Sequence, residues 1–275
     1  MLAFVTSLRA RALAQDWAYH SWLLERCLSS ITNQESPEWR AFVVCHDLPD
    51  FAPWADPRIH WLTVDIPLPK RTNEDMVADK VIKTSIGMEA ALQHGARFVM
   101  PIDADDLVSR RICGHVLDHE KSAGWFIERG SSHRYGSGLL LSIHRFHLLC
   151  GTSNIIGRDH IRFAPDPMFR NARTASVVAM GHGVVAESFA QSGTPLQSLG
   201  FAGAVYIQHQ ENTSNVDRHK ALPQSQQLFH RLKILKRLLP QLPHVRRLTA
   251  ARRAEFSIPA HEEVPAPWRA PWWRL

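Results

Sequence analysis

The sequence lacks any apolar run long enough to cross a lipid bilayer. A membrane-spanning helix needs about 18 or more largely apolar residues in a row, and no such run occurs in the 275 residues. The first residues also lack a basic stretch followed by an apolar core and a cleavage site, so we expect no signal peptide. Both absences favour a cytoplasmic protein.

Paired cysteines are also missing. None of the four cysteines forms a Cys-x-x-Cys pair, and they are scattered along the chain. This scatter favours reduced thiols in the protein core over disulfides or a zinc site. The cysteines are Cys27, Cys45, Cys113 and Cys150.

A glycine-rich, basic phosphate loop is absent as well. Such a loop would follow the first strand of a nucleotidyltransferase built on an α/β sheet, but residues 6–13 read Thr-Ser-Leu-Arg-Ala-Arg-Ala-Leu. A nucleotidyltransferase is therefore an alternative without local support.

Positive charge is concentrated near the C-terminus. The whole chain has a net charge of +6, and its 45% hydrophobic and 21% charged residues are typical of a globular protein. Residues 218–275 contain 12 Lys or Arg and 3 Asp or Glu, which gives +9, so residues 1–217 carry 20 minus 23, or −3. We expect a mildly acidic domain over 1–217 and a basic C-terminal extension over 218–275.

Strand and helix patterns alternate in the first half of the chain. Short apolar runs predict buried strands, and apolar residues at helical spacing predict long helices. The order strand, helix, strand, strand, helix, strand is typical of an α/β fold with a mixed, mostly parallel sheet and helices on both faces. The predicted strands are 2–7, 39–45, 59–64 and 98–102, and the predicted helices are 16–31 and 73–94.

Three carboxylates, those of Asp103, Asp105 and Asp106, follow the fourth strand directly. Three acids cannot lie in a dry core without a compensating charge, so they face water or hold a cation. Ligands of open α/β sheets bind beyond the carboxyl ends of the strands, and Mg²⁺ or Mn²⁺ prefers oxygen ligands. The alternative is a solvated turn in which Asp105 or Asp106 caps a helix that begins near Ser109.

The segment Ala-Arg-Phe-Val-Met-Pro-Ile-Asp-Ala-Asp-Asp at 96–106 resembles the Asp-x-Asp region of GT-A glycosyltransferases, and more closely family 2-like bacterial enzymes and rhamnosyltransferases. The resemblance covers roughly residues 1–217. It implies a GT-A-like, Rossmann-like fold in which Asp103, Asp105 and Asp106 hold Mn²⁺ or Mg²⁺, which bridges the diphosphate of a sugar nucleotide. Asp103 could instead contact the donor ribose.

The same resemblance implicates residues at two other strand ends. Thr6 and Arg9 follow the first strand, where the family lines its nucleotide pocket. Asp47 follows the second strand, where a carboxylate could accept a hydrogen bond from a pyrimidine ring N–H. The alternatives are a solvated loop at Arg9 and an ordinary turn at Asp47.

Lys80 and Lys83 lie on the predicted helix before the acidic cluster, in the Asp-Lys-x-x-Lys pattern of the related enzymes. An ammonium group near a diphosphate neutralises its charge. The alternative is a solvated helix face with an Asp79–Lys83 pair at i,i+4.

Small and polar residues interrupt a later apolar strand in Cys-Gly-Thr-Ser-Asn-Ile-Ile-Gly at 150–157. Glycine permits a close approach between backbone and ligand. The resemblance places an equivalent strand beneath the donor sugar, so Thr152, Ser153 and Asn154 are candidates to bond sugar hydroxyls. A bulged strand with a turn is the equal alternative.

An inverting transferase needs a base that accepts the proton of the acceptor hydroxyl. The Glu-Asp pair typical of the family is missing, which leaves His182 and Glu187 as candidates. His182 is the better placed because it opens a predicted helix.

His209 follows a predicted strand at 204–208, and the resemblance implies that it is a further metal ligand. Neutral imidazole suits Mn²⁺ better than Mg²⁺. A structural histidine is the alternative.

The C-terminal extension combines a basic amphipathic helix predicted at 228–239 with Trp268, Trp272 and Trp273. This composition suits peripheral contact with an anionic membrane surface beside a lipid-linked acceptor. Packing on the catalytic domain is an equal alternative. No recognised motif supports nucleic-acid binding, so we do not expect that partner.

Taken together, the residues and the resemblance imply a metal-dependent glycosyltransferase. It would move a sugar from a nucleoside diphosphate sugar to the hydroxyl of a glycan or lipid in bacterial surface polysaccharide or glycolipid synthesis. Besides the nucleotidyltransferase, the other alternative is a non-catalytic, membrane-associated scaffold dominated by the extension.

Overall fold

The computed structural model describes residues 1–51, 55–209 and 243–261. These residues form fourteen strands and six α-helices. The strands are β1 (Leu2–Ser7), β2 (Trp39–Cys45), β3 (Ile59–Thr63), β4 (Phe98–Asp103), β5 (Leu107–Val108), β6 (Gly124–Phe126), β7 (Arg129–His133), β8 (Leu139–His144), β9 (Asn154–Gly157), β10 (Phe163–Asp166), β11 (Ala172–Ala175), β12 (Gln197–Ser198), β13 (Ala202–Ile207) and β14 (Val245–Arg247). The helices are α1 (Trp17–Thr32), α2 (Asn73–Gln93), α3 (Ile112–Asp118), α4 (Ser176–Ala179), α5 (His182–Gln191) and α6 (Ala250–Phe256).

The larger sheet contains seven strands in the order β12-β6-β9-β4-β1-β2-β3. Strands β3, β2, β1 and β4 are parallel, whereas β9 runs antiparallel to both β4 and β6. A smaller sheet has the order β14-β8-β7-β13-β5. The expected α/β class with a mixed, mostly parallel sheet is therefore confirmed.

Side chains of β1 alternate between two apolar layers, one on each face of the larger sheet. Leu2 and Phe4 pack with buried residues of α1 and α3, and Ala3 and Val5 pack with buried residues of α2 and α5. Alternation with a period of two places consecutive side chains on opposite faces. Helices consequently cover both faces, as a parallel sheet requires.

Local signals set the start of each long helix. The Asp16 carboxylate accepts a hydrogen bond from the backbone N–H of Tyr19 at the start of α1. The Thr72 hydroxyl accepts one from the backbone N–H of Asp75 at the start of α2. Both are side-chain N-caps, which satisfy backbone donors that the first helical turn leaves open.

Helix α2 approaches the sheet closely at Gly87. A Cβ atom on this residue would lie 2.5 Å from Cγ1 of Val5 and 2.9 Å from Cγ2 of Val44. Real Cβ atoms essentially never come within 3.0 Å of another heavy atom. The missing side chain therefore sets the distance between α2 and the strands beneath it.

A buried ion pair joins α2 to the end of the first strand. The fully buried Lys83 ammonium donates to Asp79 at 2.7 Å and to the Leu8 carbonyl at 3.0 Å. Burial lowers the pKa of Lys83, and the Asp79 carboxylate opposes this effect. The i,i+4 pair that the sequence offered as an alternative is present, but it is buried rather than solvated.

Part of the C-terminal extension packs into the smaller sheet. Strand β14 pairs with β8, and Phe256 of α6 is buried with residues of β13. The domain boundary at 217/218, the predicted helix at 228–239 and the three C-terminal tryptophans lie outside the described residues. Among the helices of the described part, none has the length and apolar character needed to span a bilayer.

Replacing Gly87 with alanine should destabilise the protein. The added methyl must displace Val5 or Val44, at a cost of about 1–3 kcal/mol that exceeds the helix-propensity gain of about 1 kcal/mol. Gly114→Ala on α3 is the matched control, since a Cβ there meets nothing within 4 Å. Urea unfolding should separate the two variants, and equal stability would contradict the close packing of α2.

Replacing Lys83 with methionine should lower the free energy of unfolding by about 3 kcal/mol. The change leaves the Asp79 carboxylate, which is 6% exposed, without its counter-ion. The Lys83→Met/Asp79→Leu double variant should recover most of the loss in urea unfolding. Lys121→Met, at an exposed position, is the control; a loss at Lys83 no greater than in this control would contradict the assigned ion pair.

Candidate active site

A cavity of about 330 Å³ opens at the carboxyl edge of the larger sheet. It lies there because β1 and β4 are parallel neighbours, with Ser7 in register with Asp103, so the segments that follow both strands meet. Helix α2 and the start of α5 supply further wall residues. The acidic, basic and histidine residues that line the cavity are Arg9, His20, Asp79, Lys80, Asp103, Asp105, His182 and His209.

Asp103 is paired with Lys80 across the cavity. The Lys80 ammonium lies 2.5 Å from Oδ1 of Asp103, and its side chain is about half exposed. Partial desolvation of the ammonium acts to lower the pKa of Lys80, but the charges of Asp103 and Asp105 outweigh it and hold that pKa above its ordinary value. Lys80 therefore keeps its positive charge beside the carboxylates of Asp103 and Asp105.

Gly151 is what permits the approach of Asp103 and Lys80. A Cβ atom there would lie 3.1 Å from both carboxylate oxygens of Asp103 and 3.2 Å from Nζ of Lys80. A side chain at this position would require Asp103 and Lys80 to shift by a few tenths of an ångström. The glycine that we noted in the sequence thus contacts charged side chains, and a bound sugar is not needed to explain it.

Asp105 and His209 form a second pair in the cavity. Oδ2 of Asp105 lies 2.6 Å from Nε2 of His209, which follows β13. Burial acts to raise the pKa of Asp105, but the hydrogen bond and charge of His209, with Lys80, hold it below its ordinary value. An ionised carboxylate and an imidazole nitrogen therefore meet at one point of the cavity wall.

Asp106 points away from the cavity into the core. Its fully buried carboxylate accepts hydrogen bonds from the Cys150 thiol at 2.9 Å, the Thr152 hydroxyl at 2.6 Å and the Ile207 N–H at 3.2 Å. Burial, followed by the charges of Asp105 and Asp103, raises the pKa of Asp106.

Ligand atoms of Asp103, Asp106 and Cys150 all lie within 4.8 Å of one another, a spacing that a metal could bridge. The thiol donates a hydrogen bond to Asp106, and burial raises the pKa of Cys150. A metal ligand would have to be a thiolate. We therefore interpret this cluster as a hydrogen-bonded support for the cavity wall.

The three polar residues expected beneath a donor sugar are buried behind the wall. The Thr152 hydroxyl also accepts a hydrogen bond from the Asp103 N–H at 2.9 Å. The Asn154 amide donates to the His182 carbonyl at 3.1 Å, and Ser153 is fully buried beside it. These side chains position the residues of the wall and do not line the cavity.

Of the other residues predicted to bind the donor nucleotide, some line the cavity and some do not. Arg9 lines the cavity, whereas Thr6 is 1% exposed within β1 and does not. The Asp47 carboxylate accepts the backbone N–H of Arg11 at 2.9 Å and does not line the cavity either. Lys83 is confined to its buried pair with Asp79.

The two candidate bases occupy different surroundings on α5. His182, at the helix start, lines the cavity, and burial together with the Lys80 charge lowers the pKa of its imidazole. Glu187 is exposed, accepts a hydrogen bond from Gln191 at 3.2 Å and does not line the cavity. The structure therefore brings only His182 of the two to Asp103 and Lys80.

Sequence reasoning had not proposed Asp79 and His20 as cavity residues. Oδ1 of Asp79 is buried and, among the described residues, receives no hydrogen bond, although Oδ2 binds Lys83. His20 packs edge to face against the His209 ring, with 6.3 Å between centroids. The i,i+4 pattern had signalled Asp79 only as a partner of Lys83, and nothing local distinguishes His20 within an apolar helix face.

No protein-family model and no curated protein matches the sequence. Among solved structures, the chain is similar to TarS 1-349 from S. aureus in complex with UDP, at 11% identity and a TM-score of 0.45, covering 87% of this chain and 72% of that one. A longer TarS structure gives 13% identity and a TM-score of 0.45, with coverage of 87% and 43%.

A nucleotide-diphospho-sugar transferase, so described, from Desulfovibrio desulfuricans G20 is also similar. It gives 10% identity and a TM-score of 0.37, covering 87% of this chain and 97% of that one. Similarity at these values assigns neither a family nor a function to this chain.

Proposed function

We propose that the chain is a metal-dependent glycosyltransferase that moves a sugar from a nucleoside diphosphate sugar to a hydroxyl acceptor. One observation carries the proposal: three carboxylates, three imidazoles, an ammonium and a guanidinium line one cavity at the carboxyl edge of the sheet. Ligands of open α/β sheets bind at this edge. A diphosphate with its cation requires this mixture of negative and positive groups.

The donor set in the cavity fits Mn²⁺ or Mg²⁺. Asp103 and Asp105 offer carboxylate oxygens, and His209 offers an imidazole nitrogen in contact with Asp105. Oxygen ligands suit both ions, and the imidazole favours Mn²⁺. When bound there, the ion would offset the charge that develops on the leaving diphosphate.

Basic side chains on the cavity wall would bind the remaining diphosphate charge. Lys80 keeps its proton because of the neighbouring carboxylates, and Arg9 lies at the end of β1 on the adjoining wall. Oδ1 of Asp79 is an acceptor for a hydroxyl of the donor, which would satisfy a buried oxygen.

His182 is the proposed general base. Its lowered pKa keeps the imidazole neutral near pH 7, the form that accepts a proton from an acceptor hydroxyl. The acceptor itself is proposed to be a glycan or a lipid-linked molecule. Peripheral membrane contact through the basic extension would bring the enzyme to such an acceptor, and it involves residues outside the described ones.

Nucleotide binding should depend on the metal and on Asp105. With Mn²⁺ present, one of UDP-, GDP- or dTDP-sugar at about 100 times its Kd should raise Tm by about 5 °C, as measured by thermal shift. Chelation and Asp105→Asn should each remove that increase, because a metal ligand is lost. Asp159→Asn, an exposed carboxylate outside the cavity, is the charge-matched control. Undiminished stabilisation in Asp105→Asn would contradict its role.

Replacing His182 with alanine should lower kcat about 10²–10⁴-fold with little change in KM for the donor, because the base acts in proton transfer. Glu187→Ala should leave kcat within about twofold, since Glu187 lies outside the cavity. Both variants are assayed by release of sugar from the donor that raises Tm, with and without acceptor. A larger loss in Glu187→Ala than in His182→Ala would overturn the assignment, and no metal-dependent turnover of any donor would favour the non-catalytic scaffold.

A further inference from the structure

A second cavity, of about 500 Å³, lies between the smaller sheet and α6. Arg129 and Ala202 line it at the amino ends of β7 and β13, whereas His209 follows the carboxyl end of β13. A six-residue strand such as β13 spans roughly 20 Å. The second cavity is therefore distinct from the candidate active site.

The floor of the second cavity is a polar face of two paired strands. Arg129 of β7 is in register with His144 of β8, and Ser131 with Ser142. All four residues line the cavity. Side chains two positions apart share one face of a strand. Leu140 shares this face, but the other four side chains are polar, whereas a sheet face beneath a helix is ordinarily apolar.

Positive charge dominates the walls. Among the described residues that line the cavity, four arginines face one carboxylate, that of Glu255. Glu255 is already engaged, because it accepts from Arg111 Nε at 2.8 Å and from the Ser109 hydroxyl, and lies 3.8 Å from Arg110. Glu255 therefore cannot neutralise the other three arginines of the cavity. The four arginines are Arg111, Arg129, Arg246 and Arg252.

Three of these arginines are held by backbone carbonyls. One hydrogen bond to a carbonyl fixes the direction of a guanidinium without cancelling its charge, and each guanidinium has five N–H donors. Donors therefore remain for a ligand in the cavity. The carbonyls belong to Gly200 for Arg129, to Pro243 and Val245 for Arg246, and to Arg247 for Arg252.

We propose that this cavity binds a phosphate group, free or carried by a larger molecule, through Arg129, Arg246 and Arg252. Guanidinium groups pair with phosphate oxygens through two parallel N–H donors. The hydroxyls of Ser131 and Ser142 add donors on the floor, which suits a group with three or more acceptor oxygens better than a carboxylate with two. The proposal stands independently of the transferase reaction.

Hydrogen exchange of the full chain tests this site directly. Sodium phosphate, compared with sodium chloride at equal ionic strength, should slow amide exchange in β8 and α6. Arg129→Gln and Arg252→Gln should each weaken that protection at least about tenfold in apparent Kd, because a charge-assisted hydrogen bond is lost. Arg129→Lys keeps the charge but not the paired donors. Its apparent Kd for phosphate should therefore lie between those of the glutamine variants and that of the unmodified protein.

Two controls separate this site from the rest of the chain. Arg158→Gln removes an exposed arginine that lines neither cavity and should leave the protection unchanged. Asp105→Asn should also leave it unchanged, so failure of the transferase proposal does not affect this test. Equal protection by chloride, or undiminished protection in both glutamine variants, would overturn the site.

Vesicle flotation identifies the source of the phosphate. Vesicles of phosphatidylglycerol are compared with vesicles of phosphatidylcholine, for the unmodified chain and for Arg129→Gln. A specific loss of phosphatidylglycerol binding in the variant supports the site with a lipid headgroup as ligand. Unchanged vesicle binding, with the loss confined to inorganic phosphate, supports the site with a soluble phosphate compound.

Discussion

The buried Asp106 carboxylate is the interaction on which the candidate active site depends. It receives donors from the Cys150 thiol, the Thr152 hydroxyl and the Ile207 N–H, and so joins the turn after β4 to the segment before β9 and to the end of β13. A carboxylate taken out of water is costly unless its oxygens are bonded. These bonds therefore fix three chain segments at once. His209 lies two residues beyond Ile207, and its contact with Asp105 follows from this arrangement.

The need to satisfy buried polar groups also explains why two layers form the cavity wall: charged side chains that line the cavity, and buried polar side chains behind them. Thr152 spans them, since its hydroxyl donates to Asp106 in the core and accepts from the Asp103 N–H at the wall. Lys83 has a similar role beneath Leu8, where it holds the start of the loop that carries Arg9. Buried polar groups that are fully bonded give precise positions to the charged side chains in front of them, which a preorganised site needs.

Much of the fold could be predicted because its signals are local. Strands β1 and β2 have the bounds that their apolar runs indicate, and Asp16 caps α1 through a contact three residues away. The grouping of Asp103 and Asp105 at a cavity also follows from a local rule, that parallel strands end at one edge. The polar strand β7 and the short strands β5 and β14 carry no comparable periodic pattern, so the pairing of the smaller sheet could not be anticipated, although one of its strands, β13, was predicted.

The role of each polar residue could not be predicted, because side chains of one chemical type serve both layers. Asp105 and Asp106 are adjacent, yet one faces the cavity and the other the core, where Thr152 and Ile207 donate hydrogen bonds to it. Lys80 and Lys83 are separated in the same way by less than one helical turn. Burial in the tertiary structure selects between a ligand and a support, and the sequence pattern supplies candidates for both. Residue type and spacing thus locate a candidate site, whereas the hydrogen-bond partners of each polar side chain show whether it lines the cavity or supports the residues that do.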